Sequence, residues 1–192
     1  ILGQSALSYC KKDLSVVPLQ PRSKIPIIKW KDYQTTAATE SEIMQWWSKW
    51  PTANVGIVTG KISGIIVLDV DGELGKETIK SERLQIPPTL AVRTGGGGLH
   101  YIFKHPGGKV RNFARELPGL DLRGDGGLFV APPSVHPCGN RYEFILTEQP
   151  ADPPEWLLHL LEKKQESDVR PAPKIWSELV VSGAAEGERN SS

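Results

Sequence analysis

Residues 64–72 read GIIVLDVDG, an apolar run that ends in two carboxylates, and this stretch decides the fold. Side chains of a β-strand alternate between its two faces, so Asp69 and Asp71 are expected to point the same way while Val70 points into the packing. Two neighbouring carboxylates repel each other, and a half-buried carboxylate is costly unless a positive group compensates it. The sequence therefore predicts a buried strand whose end requires a positive partner.

Four interpretations of the DVDG motif compete. A calcium-binding loop fails because Leu74 stands where that loop requires Gly and Lys80 where it requires Glu. A haloacid-dehalogenase-like phosphatase also ends an apolar strand with Asp-x-Asp-Gly, but it has Thr where this chain has Glu73. Its downstream acidic pair is missing too, since the chain contains no Asp-Asp. The third interpretation is that the aspartates hold a pair of metal ions for nucleotidyl transfer. The fourth is that they are a solvated strand end with no function.

The stretch RTGGGGLHYIF places four glycines between two predicted strands, with His100 inside the second. Without a Cβ, such a run lets backbone N–H groups approach an anion closely. It is not a P-loop, because GIVTGK has three residues between its glycines and Ile62 stands where Ser or Thr is required. By itself a glycine run is more often a flexible hairpin, and a single histidine is more often structural.

In GLDLRGDGG, Asp121 and Arg123 alternate with two leucines and so project from one face of a short strand. The pair could be a simple ion pair. With Asp69 and Asp71, however, it gives three acids on strand ends, a set suited to two divalent cations about 4 Å apart. The phosphates of a nucleotide would then require a basic lining, for which the candidates are His100, Arg123 and Lys24, with the amides of residues 95–98.

The composition is that of an ordinary globular protein: 192 residues, 39% hydrophobic, 23% charged and a net charge of +1. With so little net charge, contact with nucleic acid must come from local patches. Cys10 and Cys138 are far apart, which argues against a zinc knuckle and fits a reducing compartment, so a cytoplasmic location is expected. No apolar run is long enough to span a membrane. The start at Ile1 suggests a piece trimmed from a longer protein.

Hydrophobic periodicity and turn residues predict a mixed α/β chain. Helices are expected over residues 2–12, 39–50 (with a capping box), 75–84 and 150–164. Strands are expected at 15–19, at 54–60 and 62–72 as neighbours around a turn, and at TLAVRT, LHYIF, LDLRG, GLFVAPPS and RYEFI. The basic stretch KVRNFAR is expected to be less regular. The predicted organisation is one catalytic domain (1–164), a proline-rich linker (165–174) and the truncated start of a following helical domain (175–192).

The order of these motifs resembles the archaeo-eukaryotic primase superfamily. More narrowly, it resembles the N-terminal domain of the bifunctional primase-polymerase (prim-pol) proteins that replicate plasmids, phages and mobile elements. The likeness covers residues 6–164 and includes the SKIP loop, ANVGIVTG, DVDG, TGGGGLHYIF, DLRGDGG and APPSVHPCGNRYEF. It implies an α+β fold: an RRM-like antiparallel or mixed sheet that bears the catalytic acids, packed with a smaller N-terminal α/β module.

The resemblance also implies roles for individual residues. Asp69, Asp71 and Asp121 would be catalytic and would bind two Mg²⁺ or Mn²⁺ ions, with no zinc. The nucleotide-binding residues implied or considered are His100, Arg123, Lys24, Gly97, Ser134 and His136. One departure is Gly98, which stands where a small hydroxyl residue is common, so that a phosphate contact there must come from the backbone.

The activity implied is that of a DNA primase and DNA-directed DNA polymerase, which joins nucleotides along a template. The expected partners are a single-stranded DNA template with its primer, a dNTP or NTP, and a C-terminal helical or helicase domain of the full-length protein. Lys109, Arg111 and Arg115 would contact DNA, and the piece itself is expected to be a monomer. Two alternatives stay open: a non-catalytic replication-initiation module that binds DNA or nucleotide, and the phosphatase.

Overall fold

The computed structural model describes residues 1–167, except for the side chains of Arg115 and of residues 163–167. In this part of the chain the elements follow the order α1 (Leu2–Cys10), β1 (Ser15–Leu19), a 3₁₀ turn (Lys31–Gln34), α2 (Glu40–Lys49), β2 (Asn54–Val58), β3 (Ile65–Val70), α3 (Gly72–Ser81), β4 (Leu90–Arg93), β5 (Leu99–Lys104), β6 (Phe113–Leu117), β7 (Leu120–Arg123), β8 (Leu128–Ala131), β9 (Glu143–Leu146) and α4 (Glu155–Ser167). None of the helices described is long and apolar enough to cross a membrane.

The strands form two antiparallel sheets. The larger has the order β6-β7-β3-β5-β4-β9 and the smaller the order β1-β2-β8. The predicted α+β fold is therefore confirmed. The smaller sheet is not purely N-terminal, however, because β8, from much later in the chain, completes it.

One expectation about the strands is wrong: β2 and β3 are not paired neighbours around a turn. They lie in different sheets. An isolated bridge joins Gly60, which follows β2, to Ile65, the first residue of β3. All five residues of β2 are buried, as are all residues of β3 except Asp69. A strand buried in this way needs hydrogen-bonding partners on both edges, so β2 lies between β1 and β8 and β3 between β5 and β7.

The main hydrophobic core lies where the two sheets and the first two helices meet. Its fully buried members include Val17, Ile57 and Val67. Helix α2 begins with the predicted capping box, in which the Glu42 backbone N–H donates to the Thr39 hydroxyl and the Glu42 carboxylate accepts from the Thr39 N–H. Of the tryptophans on and after this helix, Trp47 is buried, while Trp46 and Trp50 are partly buried at the edge of the core.

Helix α3 begins at Gly72, three residues before the predicted start, because Asp71 occupies its N-cap position. The Thr78 hydroxyl donates to the Pro118 carbonyl at 2.7 Å, which ties α3 to the turn between β6 and β7. The stretch expected to be irregular contains the start of β6. Helix α4 continues through Ser167 into the segment predicted as a linker. The rest of that segment and the predicted helical start at 175–192 lie outside the described residues.

Candidate active site

Three neighbouring strands of the larger sheet place Asp121, Asp69 and His100 side by side. Asp69 on β3 lies directly opposite Asp121 on β7 and directly opposite His100 on β5. Residues opposite each other in antiparallel strands project from the same face, with Cβ atoms about 5 Å apart. The structure thus brings together three of the residues that the sequence singles out. We call them the acid row.

The positive partner that the sequence requires for Asp69 is Arg123. Its Nη2 atom lies 3.6 Å from Asp69 Oδ2 and 3.2 Å from Asp121 Oδ2, so one nitrogen faces both carboxylates. Burial raises the pKa of Asp69; the charges of Arg123 and Lys24 oppose that rise, and those of Asp71 and Asp121 add to it. The ionised form of Asp69 therefore depends on nearby positive charge.

His100 is a neutral member of the acid row, not a cation. Burial lowers the pKa of His100 to about 3, with smaller contributions from the charges of Lys24 and Arg123. Its Nε2 lies 3.5 Å from Asp69 Oδ1, while its buried Nδ1 has no hydrogen-bond partner among the described residues. The ring packs edge-on against Phe129. At neutral pH this side chain can offer a hydrogen bond, but it adds no charge to the basic lining.

Lys24 reaches the acid row from the other sheet. The loop after β1 carries it to a small cavity of about 50 Å³ whose lining also includes Asp69, His100 and Arg123. Strand β8 of the smaller sheet closes one side of this cavity with Leu128, Phe129 and Val130. A larger cavity of about 480 Å³ lies elsewhere, between Tyr9 and Phe144, and the predicted site residues do not line it. Convergent charges, rather than volume, mark the smaller cavity as the site.

Asp71 stands at the rim of the acid row. As the N-cap residue of α3 it is exposed, and its side chain makes no capping hydrogen bond. Its negative charge contributes to the raised pKa of Asp69, so the two carboxylates are close enough to interact. The side chain is thus left available to a ligand.

The donor set suits Mg²⁺ or Mn²⁺, because these cations prefer carboxylate oxygens and Asp69 and Asp121 offer them from facing positions. As the side chains stand, the described part of the chain has no group of three or more His, Cys, Asp or Glu residues positioned to hold a metal ion. Instead the Arg123 guanidinium faces both carboxylates.

The glycine hairpin after β4 serves close packing. The Gly97 N–H donates to the Thr94 carbonyl and the Gly98 N–H to the Thr94 hydroxyl, both at 3.0 Å, so these amides are engaged within the turn. Gly97 has a φ of +90°, which favours glycine. A Cβ on Gly98 would come within 2.6 Å of the Val70 carbonyl oxygen at the end of β3. The hairpin thereby packs directly against the segment that leads to Asp71.

Ser134 and His136, two further candidate nucleotide ligands, differ from each other in their surroundings. Ser134 is fully buried and its hydroxyl accepts a hydrogen bond from the Val55 N–H at 2.8 Å, which ties its loop to β2. His136 is half-buried against the glycine hairpin, and its Nδ1 lies 3.1 Å from Cys138 Sγ. The structure therefore places Lys24, His100 and Arg123 at the acid row and Ser134 away from solvent.

The predicted DNA-contacting residues lie on and beside β6. Lys109 and Arg111 are exposed in the loop before it, and the Arg115 side chain is outside the described part. Between them, the Val110 N–H donates to Asp125 Oδ2 at 2.8 Å. This bond fixes the basic loop to the turn that follows Arg123.

Sequence reasoning missed Tyr142. Its ring lies between those of His100 and His136, with centroids 6.1 and 5.9 Å away, and its hydroxyl is buried without a hydrogen-bond partner in the described structure. Burial raises the pKa of Tyr142 to about 12, with smaller contributions from Asp69 and Cys138. A single tyrosine in a strand-like run looks like any core residue, so no sequence signal marked it.

Comparison with protein families identifies the class to which this fold and site belong. Residues 6–156 match the family described as bifunctional DNA primase/polymerase, N-terminal. The matched region contains the acid row, the glycine hairpin, Lys24 and Arg123. The chain is a member of this prim-pol family. A search of curated proteins finds no significant match.

Proposed function

We propose that this domain joins nucleotides along a DNA template, as a DNA polymerase and primase in the replication of a plasmid, phage or mobile element. The observation that carries the proposal is the acid row of a prim-pol family member, with Arg123 and Lys24 beside it. The family match and the position of Asp121 opposite Asp69 favour nucleotidyl transfer over the phosphatase. Cys10 and Cys138 are both free thiols, which is consistent with a protein that acts in the reducing cytoplasm.

Asp69, Asp71 and Asp121 are the residues that would hold two Mg²⁺ or Mn²⁺ ions. Such ions supply Lewis acidity at the attacking 3′-hydroxyl and neutralise the phosphates of the nucleotide. The electrostatics of the site support this role, because Asp71 and Asp121 both raise the pKa of Asp69 while His100 is neutral. Carboxylates that act on one another in this way favour added cations.

The remaining residues position the nucleotide. Lys24 and Arg123 approach the acid row from different sheets and can contact different oxygens of a triphosphate. His100, as a neutral imidazole, would donate a single hydrogen bond to a phosphate oxygen. Phosphoryl transfer depends largely on such positioning and on charge stabilisation, which this site offers.

The template would run past the basic loop before β6. Lys109, Arg111 and Arg115 would contact its phosphates, so that binding weakens steeply with salt. Synthesis of a new primer also needs a site for a second nucleotide, in addition to the one at the acid row. We therefore expect the domain to extend primers more readily than it makes them.

The test is extension of a labelled primer on a longer template with four dNTPs and Mg²⁺ or Mn²⁺. The proteins compared are the natural sequence, an Asp69→Ala/Asp71→Ala double variant and Asp152→Ala. Asp152 is a matched control because it is an exposed acid paired with Lys104, at 3.3 Å, away from the acid row. Extension that the double variant loses and the control keeps would support the proposal.

Other outcomes favour the alternatives. Retained binding of nucleotide and DNA without extension would indicate a non-catalytic module. Release of phosphate from a phosphomonoester, undiminished in Asp121→Ala, would indicate the phosphatase.

A further inference from the structure

The side chain of Arg123 occupies a special place in the acid row. Its Nη2 atom faces Asp69 Oδ2 at 3.6 Å and Asp121 Oδ2 at 3.2 Å. These oxygens belong to the two carboxylates that would ligate a divalent cation under the proposed function. A single guanidinium nitrogen therefore faces both of the carboxylates that would hold a cation.

The surroundings of Arg123 allow it to leave this position. The side chains of Asp69 and Asp121 are 20% and 31% exposed, whereas that of Arg123 is 36% exposed. A long, partly solvated side chain can change rotamer without disturbing the sheet, whereas the two aspartates are short and fixed by their strands. Of the three side chains, that of the arginine is therefore the one long enough to reach another partner.

We propose that Arg123 is an exchangeable counter-ion: it neutralises Asp69 and Asp121 while no divalent cation is bound, and cation binding transfers it to the phosphates of the incoming nucleotide. This inference rests on the proposed function. It accounts for the guanidinium nitrogen that faces the carboxylates of both Asp69 and Asp121. It also links occupation of the metal site to binding of the nucleotide. The Arg123 guanidinium cannot contact the two carboxylates and the phosphates of the nucleotide at the same time.

The proposal requires opposite effects on two ligands when Arg123 is replaced. Guanidinium and metal compete for the same oxygens, so Arg123→Gln should tighten binding of Mn²⁺ measured without nucleotide. The same variant loses a phosphate contact, so it should weaken binding of a nucleotide triphosphate. A purely structural arginine would change neither affinity in this way, and an arginine that served only as a phosphate ligand, held away from the two carboxylates, would leave the Mn²⁺ affinity unchanged.

The experiment measures Mn²⁺ binding by electron paramagnetic resonance of the free ion, without nucleotide, for the natural sequence, Arg123→Gln and Arg93→Gln. Arg93 is the matched control because it pairs with Glu143 at 2.8 Å, outside the acid row, and its loss changes the net charge equally. We expect Arg123→Gln to bind Mn²⁺ about tenfold more tightly, the effect of losing one charge-assisted hydrogen bond. Arg93→Gln should stay near the natural value. A non-hydrolysable dNTP analogue, added with Mn²⁺, should bind more weakly to Arg123→Gln than to the control.

Two results would overturn the proposal, and they differ in what they imply for the function. Equal or weaker Mn²⁺ binding by folded Arg123→Gln would refute the exchange while leaving the polymerase proposal standing. No Mn²⁺ binding by any of the proteins, with or without nucleotide, would contradict both. Arg123→Lys, which keeps the charge but not the planar guanidinium, provides a second variant if Arg123→Gln does not fold; it should bind Mn²⁺ at least as tightly as the natural sequence.

Discussion

This domain contains two aspartate–histidine pairs, and they are built differently. His105 Nε2 lies 2.9 Å from Asp125 Oδ1, and His100 Nε2 lies 3.5 Å from Asp69 Oδ1; both histidine side chains are 6% exposed. Burial alone would raise the pKa of Asp125, but hydrogen bonds from the Val110 and Lys61 N–H groups and from His105 outweigh it and lower the pKa. This pair ties three loops together.

The pair in the acid row has no comparable set of donors. Burial raises the pKa of Asp69, and the Nδ1 atom of His100 has no hydrogen-bond partner among the described residues. Buried polar groups are normally satisfied, so a polar pair left short of partners indicates a place kept for a ligand. The same two residue types therefore serve structure at Asp125 and, on our account, chemistry at Asp69.

The largest expected effect separates the two pairs by activity. Asp69→Asn should lower the rate of primer extension by roughly a thousandfold or more, because it removes a charged oxygen donor from the reaction centre. Asp125→Asn should keep near-natural activity per folded molecule. Single-turnover extension, normalised to the folded fraction from circular dichroism, checks this difference. Comparable losses of activity in both variants would contradict the claim that only the Asp69 pair takes part in the reaction.

The next effect separates the pairs by stability. Asp125→Asn should lower the free energy of unfolding by about 2–3 kcal/mol, because a carboxylate that accepts several hydrogen bonds is replaced by a neutral amide. Asp69→Asn should not lower it, because burial disfavours the charge that the substitution removes. Urea unfolding of both variants provides the measurement. A larger loss for Asp69→Asn would show that the acid row is a structural cluster.

How much of this the sequence could predict depends on the range of the interactions. The period-two alternation that places Asp121 and Arg123 on one face is local, and so is the capping box of α2; the structure shows both. Strand pairing is not local. Nothing in the largely apolar sequences of β2 and β3 indicates that the two strands enter different sheets.

The same limit applies to the site. Ser134 is a candidate nucleotide ligand by its motif, and the sequence gives no sign that its hydroxyl is bonded to the backbone of Val55, 79 residues earlier. Asp125 and Tyr142 were not singled out because their neighbours come from distant strands and loops. The partners of Asp69, like the partner of Ser134, come from strands far away in the sequence, so the sequence can propose such residues for a site without giving their contacts.

A third prediction concerns pH. Because burial lowers the pKa of His100 to about 3, the unfolded state binds its proton more readily than the folded state. The stability contributed by neutral His100 is fully present above about pH 6.5 and is lost as the pH falls towards 3, by up to about 1.4 kcal/mol per pH unit. His100→Gln should flatten this part of the profile. Urea unfolding at pH 7 and pH 5 tests this, and parallel profiles for the two proteins would contradict it.

The smallest effect concerns the buried serine. Ser134→Ala should lower the free energy of unfolding by about 1 kcal/mol, because the Val55 N–H loses its acceptor. Nucleotide affinity should be unchanged, since the hydroxyl is fully buried. Thermal unfolding and nucleotide titration of one preparation check both halves. A marked loss of affinity at unchanged stability would restore Ser134 to the site.

The most direct test of the central claim compares two aspartates four residues apart. Asp121 belongs to the acid row, and Asp125 belongs to the satisfied pair. Primer extension and urea unfolding are measured for Asp121→Asn and Asp125→Asn. We predict that Asp121→Asn stays folded and loses extension, whereas Asp125→Asn loses stability and still extends primers. Natural rates of extension by Asp121→Asn would contradict the claim that the acid row is the reaction centre.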